Sequence, residues 1–153
     1  MKWKLYALLG TLALSATIIM TTVGSGTADA SGPTFTIPGV ISTGTLASYF
    51  SCTSTATAPQ TLTVQVLDDS GTTVASVSDV NLNPRATLPF ETGAAASVAG
   101  VSVGGGVSFT GFATISSSSS SLVCSAMVLD RLNNPPNSMV SLPVIKGTKQ
   151  KGV

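Results

Sequence analysis

Cys52 and Cys124 are the residues of this sequence best suited to chemistry, and they could be nucleophiles, metal ligands or partners in a disulfide. The chain of 153 residues contains no histidine. A catalytic cysteine is usually activated by a neighbouring histidine, and an ordinary zinc site needs four protein ligands, or three and a water molecule. Two cysteines without a histidine therefore favour a disulfide, and two free, buried thiols are the alternative.

Other motifs in the sequence each lack an essential part. The stretch "GVSVG" at 100–104 matches the nucleophile-elbow pattern, which works with a histidine. Asp68 and Asp69 could be paired carboxylates, but "DDSG" is typical of a turn, and no third oxygen ligand follows at calcium-loop spacing. A charged cluster of catalytic type could form only if four residues at predicted loop ends met in space: Arg85, Glu91, Asp130 and Arg131. We therefore predict that the protein is not an enzyme and has no cofactor or metal.

The first thirty residues have the pattern of a signal peptide. Lys2 and Lys4 precede an apolar run, and "ADA" at 28–30 has the form of a signal peptidase site. An uncleaved membrane anchor is the alternative, but the apolar run is short and is interrupted by polar residues. We expect residues 1–30 to be removed, which leaves no stable membrane span. The rest would be exported to the periplasm, the cell surface or the medium, where oxidising conditions favour a disulfide.

Charge is sparse and balanced beyond residue 30. This part of the chain contains five acidic and five basic residues. The acids are Asp68, Asp69, Asp79, Glu91 and Asp130, and the bases are Arg85, Arg131, Lys146, Lys149 and Lys151. A protein that binds nucleic acid normally carries a basic face, so we predict no nucleic-acid partner. Three of the bases lie in residues 146–153, which we interpret as a basic, flexible tail.

The remaining pattern is that of an all-β protein. In "TLTVQVLD", Leu62, Val64 and Val66 alternate with polar residues, which predicts a half-buried strand, and "TTVASV" follows the turn as a second strand. The stretch "GVSVGGGVSFTGFATI" predicts a hairpin around three glycines. In "LVCSAMVLD" both faces are apolar, which indicates a central strand.

These elements predict one domain over residues 31–145, a single antiparallel β-sandwich of immunoglobulin-like type with about seven to nine strands. The other strands are "TLASYFSC", "ATLPFE" and "SMVSLPVI". Both cysteines fall in the middle of strands that are far apart in the sequence. We therefore expect a disulfide of the kind that joins the two sheets of an immunoglobulin-like sandwich.

The stretches "YFSCTSTATAPQTLTVQVLDDSGTTV", "NPRATLPFET" and "GFATISSSSSSLVCSAMVLDRLNNPP" carry a resemblance. They resemble small, secreted bacterial proteins of immunoglobulin- or fibronectin-like fold, which have one cysteine in an early strand and a second in a late "xCxAxxxD" strand. The resemblance covers residues 48–145 and implies a fold, not an activity. The chain departs from antibody domains because it has no core tryptophan beyond residue 30, and Leu122 stands in place of the corner tyrosine.

The predicted function is that of an exported, non-catalytic structural or interaction module at the bacterial cell surface or in the periplasm. Its partner would be an unknown protein or envelope component, or a second copy paired through strand edges. The alternative to pairing is a monomer whose strand edges are covered by residues 31–45 or by the tail. The stretches "TTVASVSDV" and "ASVAGVSV" favour this, because they are nearly uncharged and predict flat strands. The alternative is a carbohydrate-binding module with Tyr49 and Phe112 as exposed rings. The other four phenylalanines after residue 30 are expected in the core: Phe35, Phe50, Phe90 and Phe109.

Overall fold

The computed structural model describes residues 32–93, 100–104, 107–133 and 135–147. The predicted signal peptide and most of the predicted tail lie outside the described residues. Within the described ranges the protein is all-β and contains no helix, as the sequence predicts. The strands are β1 (Thr34–Ser42), β2 (Leu46–Ser54), β3 (Gln60–Asp68), β4 (Thr73–Leu82), β5 (Thr87–Glu91), β6 (Val101–Ser102), β7 (Phe109–Ser117), β8 (Leu122–Asp130), β9 (Met139–Leu142) and β10 (Ile145–Lys146).

The strands form one curled sheet with two arms. The first arm has the order β4-β3-β7-β1, and β10 pairs with the other edge of β1. The second arm has the order β9-β8-β2-β5-β6. A single residue pair between β1 and β2, Ser42 with Ala47, joins the arms.

The core lies within the curl and takes side chains from both arms. Ile37, Val64 and Ile115 come from the first arm, and Phe50 and Phe90 come from the second, all with no exposed surface. Alternation along the strands produces this arrangement, because successive side chains point to opposite faces. In β3 the three apolar residues that the sequence predicts on the inner face, Leu62, Val64 and Val66, are buried, and so is Gln60.

The prediction of a hairpin around the three glycines is wrong. Val101 and Ser102 form β6, which pairs with β5 in parallel, whereas β7 lies between β1 and β3. The sheet is therefore mixed and not purely antiparallel. Gly104 has a positive φ of 94°, as a turn requires, but the chain that leaves this turn crosses to the other arm. A local turn signal does not identify which strand the next segment will pair with.

Strand β1 is not among the strands predicted from the sequence. Its sequence "TFTIPGVIS" includes Pro38 and Gly39, which normally interrupt strands. The structure accommodates them with a shift of register between Pro38 and Val40, where Gly39 has a φ of 77°. The extra residue forms a bulge, and β1 stays paired with β7 on both sides of it.

The predicted tail begins inside the fold. In β10, Lys146 pairs with Phe35 of β1. The Gly147 N–H donates to the Thr34 carbonyl at 2.7 Å. The Lys146 ammonium also lies 5.9 Å from the centre of the Phe35 ring. Lys146 therefore belongs to the sheet, and Gly147 is hydrogen-bonded to the start of β1.

The edge strand β4 is not flat, in contrast to the prediction from "TTVASVSDV". Its register against β3 shifts twice, once between Thr73 and Ala75 and once between Val77 and Val80. Asp79, in the second bulge, has a left-handed φ of 56°. Bulges and charges obstruct the addition of another strand, so this edge is protected. In the other stretch predicted to be flat, "ASVAGVSV" at 96–103, the first four residues lie outside the described residues, and the last four include β6.

Candidate functional site: a disulfide beside an open strand edge

A disulfide joins Cys52 and Cys124, which confirms the predicted pair. Cys52 is fully buried in the core, whereas Cys124 is half-buried. Both thiols are consumed by the bond, so neither is a nucleophile or a metal ligand in this state. The bond is compatible with an oxidising, exported compartment.

The position of the bond differs from the expected one. Strands β2 and β8 are direct neighbours, and Cys52 lies opposite Cys124 in their register. The bond therefore crosses one strand pair within one arm and does not join two separate sheets. The two Cα atoms are 4.2 Å apart. This distance is typical of a pair without mutual backbone hydrogen bonds, for which about 4.5 Å is usual, against about 5.5 Å for the hydrogen-bonded kind.

Beside the disulfide, β8 has an open edge. One edge of β8 is paired with β2 along its whole length, which includes Leu122. The opposite edge pairs with β9 only from Ala126 to Leu129. Among the described residues no strand covers the segment 122–125 on that side. The strand is therefore central along only part of its length, and we call the uncovered segment, residues 122–125, the open edge.

The open edge ends where β9 turns away. Pro143 follows β9, and the chain then crosses to pair with β1 as β10. Val123, in the open edge, is 61% exposed. Cys124 and its partner Cys52 in β2 share no backbone hydrogen bonds. The N–H and C=O of Cys124 therefore point away from β2, towards the open edge. These groups are available to an added strand.

The charged residues considered for catalysis do not form one cluster. The carboxylate of Asp130 caps its own turn by accepting from the Leu132 N–H at 2.9 Å and from the Asn133 side chain. The Arg131 guanidinium lies against Gly93, at the end of β5, near the buried Glu91. Arg85 is in the exposed turn between β4 and β5, at the opposite end of the strands.

The remaining motifs have structural roles. The Ser102 hydroxyl of "GVSVG" donates to the Gly93 carbonyl. Asp68 accepts from the Ser70 hydroxyl at 2.6 Å and from the N–H groups of Ser70 and Thr72, each at 2.9 Å, so the segment is the predicted turn. The hydrogen bond from the Ser70 side chain is the main reason why the pKa of Asp68 is lowered. Nowhere in the described ranges do three or more Cys, Asp or Glu side chains form a group that could hold a metal ion.

The two rings predicted to be exposed are both half-buried and lie in different arms. Tyr49 is in β2 between β5 and β8, and Phe112 is in β7 between β1 and β3. They do not form one platform. The expected core phenylalanines are in place: Phe35, Phe50 and Phe90 are buried, and Phe109 packs against the core.

Comparison with known proteins identifies no relative: no family model, curated protein or solved structure matches the chain. The described residues also include no helix that is long and apolar enough to cross a membrane.

Sequence reasoning missed the open edge and the position of the disulfide. Proline in a strand sequence is typical of an edge or a bend, and Pro143 does mark the point at which the chain leaves β8. The pairing of β10 with β1 depends on contacts between residues that are distant in the sequence. The stretch "SLPVI" contains no pattern that predicts it.

Proposed function

We propose that the chain is an exported, non-catalytic interaction module of immunoglobulin-like sandwich type, acting at the bacterial cell surface or in the periplasm. The single residue pair between the arms supports the sandwich, because each arm behaves almost as a separate sheet around the shared core. The disulfide supports export. Residues 1–30 would direct the export and be removed.

The open edge beside the disulfide carries the proposed interaction. The edge of β4 is obstructed by two bulges, and β6 and β10 have two residues each. The open edge instead offers free backbone groups next to the exposed side chain of Val123. An extended segment of a partner would add there as a strand through main-chain hydrogen bonds. The disulfide fixes β8 to β2 and so holds this template rigid.

Replacement of Val123 by lysine is expected to abolish capture of the partner, because a charge on an edge strand obstructs strand addition. Val107→Lys is the matched control, since Val107 is exposed to a similar degree, 56% against 61%, and lies in the loop before β7. The measurement is retention of an envelope component by the immobilised exported protein, together with light scattering for self-association. The proposal is wrong if the two variants retain the same material, or if the unmodified protein retains none and stays monomeric.

A neutral carbohydrate is the second candidate partner, and the outer face of the first arm favours it. Phe112 lies there in a row with Pro38 and Leu67, all half-buried. The neighbouring row holds Thr36, Thr114, Gln65 and Ser76, none of which makes a side-chain hydrogen bond among the described residues. The expected result is retention on insoluble cellulose or chitin that Phe112→Ala removes. Equal retention of this variant would count against the site.

A further inference from the structure

The near-zero net charge conceals a separation of charge along the strands. Strands β7 and β2 are both antiparallel to β1 and therefore run in the same direction. Strands β3, β5 and β8 are each antiparallel to β7 or β2, so these three also share one direction. The acids follow or end these strands, so they collect at one end of the molecule, which we call the acidic end: Asp68, Asp69, Glu91 and Asp130. Arg131 is the only base at this end among the described residues.

The opposite end, which we call the basic end, carries the other bases of the described residues, Arg85 and Lys146. Arg85 lies in the turn before β5, next to the end of β2, because the Ala86 carbonyl accepts from the Ser54 N–H. Lys146 lies opposite Phe35 at the start of β1. Lys149 and Lys151 follow within four residues of Gly147. Asp79 is the one acid in this half of the described molecule.

The acidic end contains an open groove of about 530 Å³. It is lined by the apolar residues Ile41, Leu46, Val128 and Val140 and by the carboxylate residue Asp69. The Thr110 hydroxyl donates to this carboxylate at 2.6 Å and thereby orients it. An apolar lining beside an oriented carboxylate suits a lysine. The methylene stem packs on the apolar surface while the ammonium contacts the carboxylate.

The lysines of the same molecule cannot reach this groove. From Thr34 to Ile41, β1 covers seven residues, or about 23 Å at about 3.3 Å per residue. At Gly147 the chain lies level with Thr34 and runs away from the groove, because β10 is antiparallel to β1. Four residues of extended chain, up to Lys151, span at most about 14 Å. The lysines that would fill the groove must come from another molecule.

We propose that copies of this chain associate head to tail, with Lys149 and Lys151 of one molecule docked in the groove at the acidic end of the next. In an extended segment these two lysines lie on the same side, because side chains alternate along the chain. The contact joins different surfaces of the two copies, so it generates open rows, or rings where the rotation closes. It rests on the proposed role as an interaction module but uses a surface distinct from the open edge.

Sedimentation velocity of the exported protein tests the contact. At low ionic strength we expect association that grows with concentration and is lost in 1 M salt, where charges more than about 3 Å apart are screened. The pair Lys149→Gln with Lys151→Gln should weaken association about fivefold to tenfold, since exposed ion pairs each contribute little. Asp69→Asn should weaken it, whereas the matched Asp79→Asn should not.

Charge reversal gives the sharper test. Asp69→Lys alone, and Lys149→Glu with Lys151→Glu alone, should each remain monomeric. A mixture of the two variants should associate, because the unmodified segment of the Asp69→Lys variant meets the unmodified groove of the other variant, and the two reversed surfaces also match. Circular dichroism and thermal unfolding verify that each variant is folded.

The inference is overturned if the unmodified protein stays monomeric at low salt, if its association persists in 1 M salt, or if the mixture does not associate. The Val123→Lys variant separates this inference from the proposed function, because it should lose the partner at the open edge and keep the head-to-tail contact. Failure of head-to-tail association with intact, Val123-dependent capture would remove only this inference.

Discussion

Replacement of both Cys52 and Cys124 by alanine is expected to lower the free energy of unfolding by about 2–5 kcal/mol. The bond spans 72 residues of sequence, and the chain-entropy model gives about 4 kcal/mol for a loop of this length. Domains of this size have only about 5–15 kcal/mol in total, so the loss is a large share of the stability. Alanine avoids both a leftover thiol and a hydroxyl in the fully buried site of Cys52.

Chemical denaturation of the oxidised protein, the reduced protein and the double-alanine variant measures this effect. The reduced protein is the control, since reduction breaks the bond without changing the side-chain volume. We expect the free energy of unfolding of the reduced protein to be close to that of the double-alanine variant. An alanine variant as stable as the oxidised protein would show that the bond contributes no stability.

Gly111→Ala is expected to destabilise the protein by about 3 kcal/mol or more, at the upper end of the range for overpacking. Gly111 lies in β7, opposite Asp68 of β3 and Val40 of β1. A Cβ atom there would overlap the Leu67 carbonyl and lie 2.8 Å from the Cα of Asp68. Both are backbone atoms and cannot move aside by changing a rotamer, so β3 and β7 would have to separate.

Gly44→Ala is the matched control, because Gly44 has open space where its Cβ would be and lacks a positive φ. It should be neutral or stabilise slightly, by about 0.4–1 kcal/mol, through reduced freedom of the unfolded chain. The comparison of thermal unfolding of the two variants checks the packing of β7 between β1 and β3. Equal effects of the two substitutions would contradict that packing.

The strands whose side chains alternate were predictable from the sequence. The strand β8 coincides with "LVCSAMVLD", and the buried face of β3 follows Leu62, Val64 and Val66. With two cysteines and no histidine, the sequence favoured a disulfide over two free thiols, and the structure contains the bond. These features depend on local pattern or on residue counts, which a sequence contains directly.

Features that depend on non-local pairing were not predictable. The partner of β6 is β5 and not the adjacent β7, and β10 leaves β9 for β1. These pairings create the open edge and place the disulfide within one arm. The charge separation was equally hidden, because Asp69, Glu91 and Asp130 are far apart in the sequence and come together only through the shared direction of β3, β5 and β8.

Peptide mapping without reduction, performed on the protein recovered from outside the cytoplasm, tests the central claim most directly. The account predicts a first residue of Ser31, no peptide that contains Trp3, and one linked pair of peptides that carry Cys52 and Cys124. A chain that retains Trp3 and has two thiols open to alkylation would contradict it, because the protein would then be neither a processed, exported module nor one stabilised by a disulfide.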